Sequence, residues 1–155
     1  MKVLVVVVGR VRGPLADAVQ EYARRAERYW KLDVIEVAAG AGRTSDPESV
    51  RQAESERIVP RIPDGFDVVA LTRAGKPMSS AELARELQDR ALHAAPGIAF
   101  IVGGAFGLGR AVLERATRRV ALGAMTLPHE MARLVLVEQL YRAGTILRGE
   151  PYHKG

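Results

Sequence analysis

Four glycines within residues 102–109, reading Val-Gly-Gly-Ala-Phe-Gly-Leu-Gly, make this the segment best suited to holding a ligand. Glycine tolerates positive backbone angles and lets a ligand approach the main chain closely. A second segment of this kind is Leu71-Thr72-Arg73-Ala74-Gly75-Lys76-Pro77. Neither is a standard nucleotide motif. Glycines 104, 107 and 109 give G-x-x-G-x-G, not the dinucleotide order G-x-G-x-x-G, and Gly75-Lys76 is followed by Pro77 where a P-loop needs Ser or Thr. A nucleotide-like cofactor would therefore use the later half of the chain. The alternative is that these glycines only make tight turns.

Titratable side chains narrow the chemistry. There is no cysteine, which excludes a disulfide scaffold, a thiolate zinc site and a cysteine nucleophile. His93, His129 and His153 have no metal-ligand spacing, and no carboxylate pair stands out as an acid–base dyad, so no metal is expected. His93 falls at the surface near a helix end. His129 follows Leu127-Pro128 at a helix start, a place for capping or packing. His153 stands beside Tyr152 in a tail expected to fray. On the last helix Glu138 and Arg142 are four apart with the acid first, the favourable order for an ion pair. Arg133, nine residues before Arg142, falls on the opposite face. A charge on an otherwise apolar helix calls for a partner: an internal acid, a second subunit or RNA phosphate.

These residues need elements to place them. Residues 2–8 are a continuous β-branched run, expected of a strand buried on both faces. Pro14 starts a helix with apolar residues at helical spacing, ending near Trp30. Strands are expected over residues 32–37, 67–71, 98–102 and 120–125. A mobile loop covers residues 39–47, and a polar helix residues 47–59. Ser79 and Glu82 form a capping box. A short helix spans 110–117, and the last helix 129–147, its apolar centre at 134–137 buried all round. Strand and helix alternate, so the fold is α/β, a mainly parallel sheet with helices on both faces, in one domain over residues 1–155.

Composition sets the partners. The net charge is +5, and only four of the 23 basic residues are lysine, leaving 19 arginines. Arginine suits phosphate oxygens, and a GC-rich genome produces the same bias. The charge permits a nucleic acid partner without requiring one. The longest apolar run, residues 3–8, is too short to span a bilayer and lacks the marks of a signal peptide, so a cytoplasmic protein is expected.

Three blocks resemble one family: Gly103-Gly104-x-x-Gly107-Leu108; Leu127-Pro128-His129-x-x-x-Arg133-x-x-Leu136-x-Glu138-Gln139-x-Tyr141-Arg142-Ala143; and Gly149-x-Pro151-Tyr152-His153-Lys154. They are similar to the ribosomal RNA large subunit methyltransferase H family of the SPOUT superfamily. Val8-Gly9, Glu21-Tyr22 with Arg24, and Ala39-Gly40 also fit. Arg73-Ala74 and Ala105-Phe106 depart from the family's pattern near the expected cofactor pocket.

The resemblance implies a C-terminal trefoil knot, which no sequence pattern could reveal. It implies a homodimer whose active site lies between subunits. The reaction it implies is methylation of N3 of a pseudouridine in large-subunit ribosomal RNA, on the assembled ribosome, from S-adenosylmethionine. Cofactor contacts would fall on Leu71, Gly103, Leu122, Gly123, Ala124, Met125, Thr126 and Leu127. Arg142, Tyr152 and His153 would be catalytic, with Arg142 and Lys154 binding RNA. Tyr152 would stack on the base, and His153 would accept the N3 proton. Two other readings are a knotted methyltransferase acting on transfer RNA and a non-catalytic ribosome- or RNA-binding protein.

Overall fold

The protein is described here by a computed structural model, which covers residues 1–154. Five strands, β1 (Lys2–Val8), β2 (Lys31–Val37), β3 (Asp67–Pro77), β4 (Gly97–Val102) and β5 (Arg118–Ala121), form one sheet in the order β2-β1-β4-β3-β5. Every pairing is parallel. Side chains along a strand alternate between faces, and the two faces build two cores. Val3, Val5, Val7, Val69, Phe100 and Val102 pack with α1 (Pro14–Ala26), α3 (Ser80–Leu92) and α5 (His129–Leu147). Leu4, Val6, Val8, Val68, Ala99 and Ile101 pack with α2 (Pro47–Ile58) and α4 (Arg110–Arg115). The expected α/β layering, with helices on both faces, is what forms.

Several boundaries differ from expectation. Helix α1 stops at Ala26, not Trp30. Its last turn gives way to turns that let the Trp30 indole donate to the Leu140 carbonyl at 2.8 Å. Strand β3 runs on to Pro77, but Leu71 and Lys76 both face Val120, so residues 72–75 bulge out of the ladder. Gly75 allows this: a Cβ there would lie 2.5 Å from the Val120 carbonyl carbon. Strand β5 occupies Arg118–Ala121 and frees residues 122–127 from the sheet. Its two leading arginines put the expected start of this strand two residues late; Arg118 Nη1 pairs with Glu86, while its Nε and Nη2 are buried without a partner. On α5, Leu136 and Val137 are buried, whereas Leu134 and Val135 are only half-buried, so the helix is not covered all round.

The 38–46 segment is anchored. Arg57 Nη1 donates to the carbonyls of Ala38 (2.8 Å) and Gly40 (2.6 Å), and Gly40 N–H donates to Glu54 Oε2 at 2.8 Å. Ala41 and Thr44 close a small antiparallel bridge. The capping box at Ser79 and Glu82 forms with both of its hydrogen bonds. No helix among the described residues is long and apolar enough to cross a membrane.

Candidate functional site

Parallel strands put all their carboxyl ends at one edge, and ligands of such sheets sit there. A cleft of about 450 Å³ opens at this edge beyond β3, β4 and β5, within the usual range for a small-molecule site. Three backbone segments wall it: the bulge of β3, the glycine loop after β4, and residues 122–127.

Each wall is shaped by its sequence. In the glycine loop, Gly107 N–H donates to the Gly104 carbonyl at 3.1 Å, and Gly107 has φ +79°. A Cβ on Gly103 would fall 2.9 Å from the Gly107 carbonyl carbon, so the turn closes only around glycine. The bulge brings in Thr72 and Arg73. Arg73 Nη1 donates to Thr126 Oγ1 at 2.8 Å, joining the bulge to the third wall. The Thr72 hydroxyl is buried with no protein partner.

Of the residues expected to hold a cofactor, Leu71, Gly103, Leu122, Gly123, Met125, Thr126 and Leu127 all line this cleft. Ala124 belongs to the same loop without lining it. Thr72 and Arg73, which belong to the second ligand-suited segment, line it as well, and so does His129, for which capping or packing was expected. Among the described residues no acidic side chain lines the cleft, which is bounded by its glycines together with Leu71, Val102, Leu122 and Leu127.

Beneath the glycine loop lies a residue that sequence reading passed over. Glu54 is 2% exposed. One carboxylate oxygen takes the Gly40 N–H, the other has no partner, and a Cβ on Gly104 would come within 3.1 Å of it. The available signal was spacing: Val50, Glu54 and Ile58 recur every four residues, so the acid occupies the apolar stripe of an otherwise polar helix.

The second group of expected residues gathers elsewhere. Residues Pro151–His153 form a short 3₁₀ turn packed back on α5, where a frayed tail was expected. Glu138 is the hub. Its Oε1 accepts from Arg142 Nη2 (2.7 Å), Arg142 Nε (3.0 Å) and the Tyr152 hydroxyl (2.9 Å). The Glu138–Arg142 pair read from spacing is therefore present. The Tyr152 ring rests 4.5 Å from Tyr141 and 4.9 Å from the Arg142 guanidinium, measured to ring centroids. Burial, then the hydrogen bond to Glu138, pushes the Tyr152 phenol up from its ordinary range. The Glu138 carboxylate likewise holds the Arg142 guanidinium more firmly charged. Arg142 Nη1 also meets the His153 carbonyl at 3.3 Å. His153 Nδ1 is buried without a partner, and Lys154 is exposed with φ +41°. Arg133 finds an internal acid, Glu36 Oε2 at 2.6 Å. His93 is exposed at the end of α3, its Nδ1 2.7 Å from the Asp89 carbonyl.

One chain does not bring the two groups together. His129, at the cleft, opens α5, and Arg142 lies thirteen residues further on. At 1.5 Å per residue that is about 20 Å along the axis.

Comparison with known proteins shows the family. A family model described as "Predicted SPOUT methyltransferase" matches residues 1–153. The chain is 54% identical over 155 residues to the ribosomal RNA large subunit methyltransferase H of Gemmatimonas aurantiaca, covering 99% of this chain and 100% of that one. It is 47% identical over 152 residues to the protein of the same name from Rubrobacter xylanophilus, covering 96% of each. It is 40% identical over 159 residues to that of Listeria monocytogenes, covering 99% of this chain and 100% of that one. Among solved structures, a probable methyltransferase from Bordetella pertussis superposes with TM-score 0.56 at 20% identity, over 92% of this chain and 95% of that one. At that identity the likeness speaks to the fold alone.

Proposed function

The chain belongs to the SPOUT methyltransferase family, and from that premise we propose that it methylates N3 of a pseudouridine in large-subunit ribosomal RNA. In this reading residues 1–155 are one domain with a C-terminal trefoil knot, working in the cytoplasm on the assembled ribosome as a homodimer. The relatives' shared name supports the RNA substrate. The observation that carries the dimeric site is the placing of two half-sites at opposite ends of α5. A second chain running the other way would bring its tail to the first chain's cleft. The half-covered Leu134 and Val135 suit such a contact.

S-adenosylmethionine fits the cleft. Its glycines, apolar side chains and unpartnered Thr72 hydroxyl suit a nucleoside, and none of its lining side chains is acidic. Leu71, Gly103 and residues 122–127 would hold it, Ala124 through the loop's backbone. Bound there, it supplies an electrophilic methyl on a good leaving group.

The chain's own residues do the rest. Arg142, kept charged and oriented by Glu138, holds an imide oxygen or a phosphate of the target nucleotide. Lys154 holds a neighbouring phosphate. Tyr152, held at a tilt against Tyr141 and beside the Arg142 guanidinium, stacks on the extruded base. His153 takes the N3 proton. Losing that proton makes N3 nucleophilic, and most of the gain would come from holding it at close range to the methyl that a bound cofactor would supply, whose thioether would leave neutral.

The test is methyl transfer from labelled cofactor to ribosomes from cells lacking the gene, with the label mapped by nuclease digestion and mass spectrometry. Label at one pseudouridine of large-subunit RNA is expected. Label on transfer RNA instead, or none at all, would overturn the substrate. Mixing Gly103→Ala chains with Arg142→Ala chains tests the shared site. Each variant alone should be inactive, and the mixture should regain about a quarter of wild-type activity, because half of the dimers are mixed and each has one intact site. No recovery would overturn it.

A further inference from the structure

The loops that follow β1 and β2 end at the same sheet edge as the cleft, one and two strand spacings from β4, within about 10 Å of its glycine loop. They are tied together, Gly9 N–H donating to the Val37 carbonyl at 2.8 Å. They are also continuous with the cleft, since His129, which lines it, packs against Gly9. Their charges are unevenly spent. Among the described residues Arg10, Arg12 and Arg43 are exposed and make no hydrogen bond or ion pair. Three acids near this edge, Glu36, Asp46 and Glu54, are engaged or buried. Glu36 is held by Arg133, and Asp46 accepts from the Ser49 N–H and hydroxyl at 2.9 and 2.8 Å. Glu54 is buried below. Asp17 and Glu48 lie in the first turns of α1 and α2, where they offset the helix dipoles.

The loop that carries Arg43 is built to hold it outward. Glu54 takes the Gly40 N–H from beneath, Arg57 spends its guanidinium on the Ala38 and Gly40 carbonyls, and the Ala41–Thr44 bridge closes the turn around residue 43. Arg57 and Glu54 therefore act inward and order the backbone, while Arg43 is left to face solvent. A guanidinium without an acid partner, on an ordered turn beside the cleft, loses little entropy on meeting a phosphate.

We infer that Arg10, Arg12 and Arg43 form a basic rim that grips the phosphate backbone of RNA beside the cleft. Its partner is a folded polyanion, recognised by spacing of charge and not by base identity. The inference rests on the RNA-substrate reading above, but its first readout needs no methyl transfer. Binding of a fluorescein-labelled RNA stem-loop would be measured against salt for the wild-type protein and two triple variants. One is Arg10→Ala/Arg12→Ala/Arg43→Ala. The other, Arg61→Ala/Arg85→Ala/Arg119→Ala, removes three exposed and equally unpaired arginines away from the cleft, so both lose the same charge.

The rim variant should lower the slope of log affinity against log salt by about 2–3, roughly one per lost phosphate contact, with cofactor affinity unchanged. The charge-matched variant should leave the slope nearly at the wild-type value. Equal losses in both would make the effect one of net charge and overturn the rim, and so would an unchanged slope in the rim variant. A rim variant that loses RNA affinity while wild-type protein fails to methylate ribosomes would keep the rim and reject the methylation reading instead.

Discussion

In the proposed site, Glu138 serves the reaction without touching the substrate. It gathers Arg142 and Tyr152 on a single oxygen. Charge-assisted hydrogen bonds of this kind are each worth about 1.5–3 kcal/mol. Glu138→Gln should therefore lower kcat/KM by roughly ten- to a hundredfold while leaving cofactor affinity at its wild-type value; single-turnover rates with calorimetric cofactor titration check this, and an unchanged kcat/KM would remove Glu138 from the site. The same hub has a pH signature. Burial and the Glu138 bond raise the Tyr152 phenol above its ordinary value. The stability this contributes is complete below the unfolded value near 10 and is lost as pH rises through the higher folded one. The Tm difference between wild type and Tyr152→Phe should hold constant up to about pH 10 and shrink beyond it. A difference that grows there would reverse the sign of the argument.

Among the elements, α5 shows where ordinary helix rules yield to packing. Gly144 is an interior helix glycine, and replacing such a residue by alanine commonly stabilises by up to about 1 kcal/mol. Here a Cβ would fall 2.2 Å from Cγ of Tyr29, which follows α1. Gly144→Ala should instead destabilise by about 1–3 kcal/mol through overpacking, read as a lower urea midpoint. What the sequence disclosed follows the same division. Alternating strand and helix periods gave the layers, and the capping box marked the start of α3, because both are local. Two of the three cleft walls were legible as glycine-rich strand ends; residues 122–127 were reached only through the family resemblance. The bulge at 72–75 was not, since a slipped ladder leaves the alternation of β3 unchanged and depends on Gly75 meeting Val120. Nor was the ordered tail, whose partners Glu138 and Tyr141 are reached only once the chain turns back. Glu54 hid in plain composition, because a polar helix gives no reason to ask which of its acids faces inward.

At the scale of the whole molecule, the length of α5 decides how the parts cooperate. It keeps the cleft and the Arg142–Tyr152 cluster apart in one chain, so the proposed site exists only while two chains are joined. Activity then becomes a measure of abundance. Below the dissociation constant of the pair, the population of joined chains rises as the square of chain concentration, and specific activity should fall in proportion on dilution, where a self-contained site would hold it constant. Rates measured across a dilution series distinguish the two. If the proposed function holds, a cell that makes little of this protein would modify its RNA less than its protein level suggests, and doubling expression would raise the activity up to about fourfold.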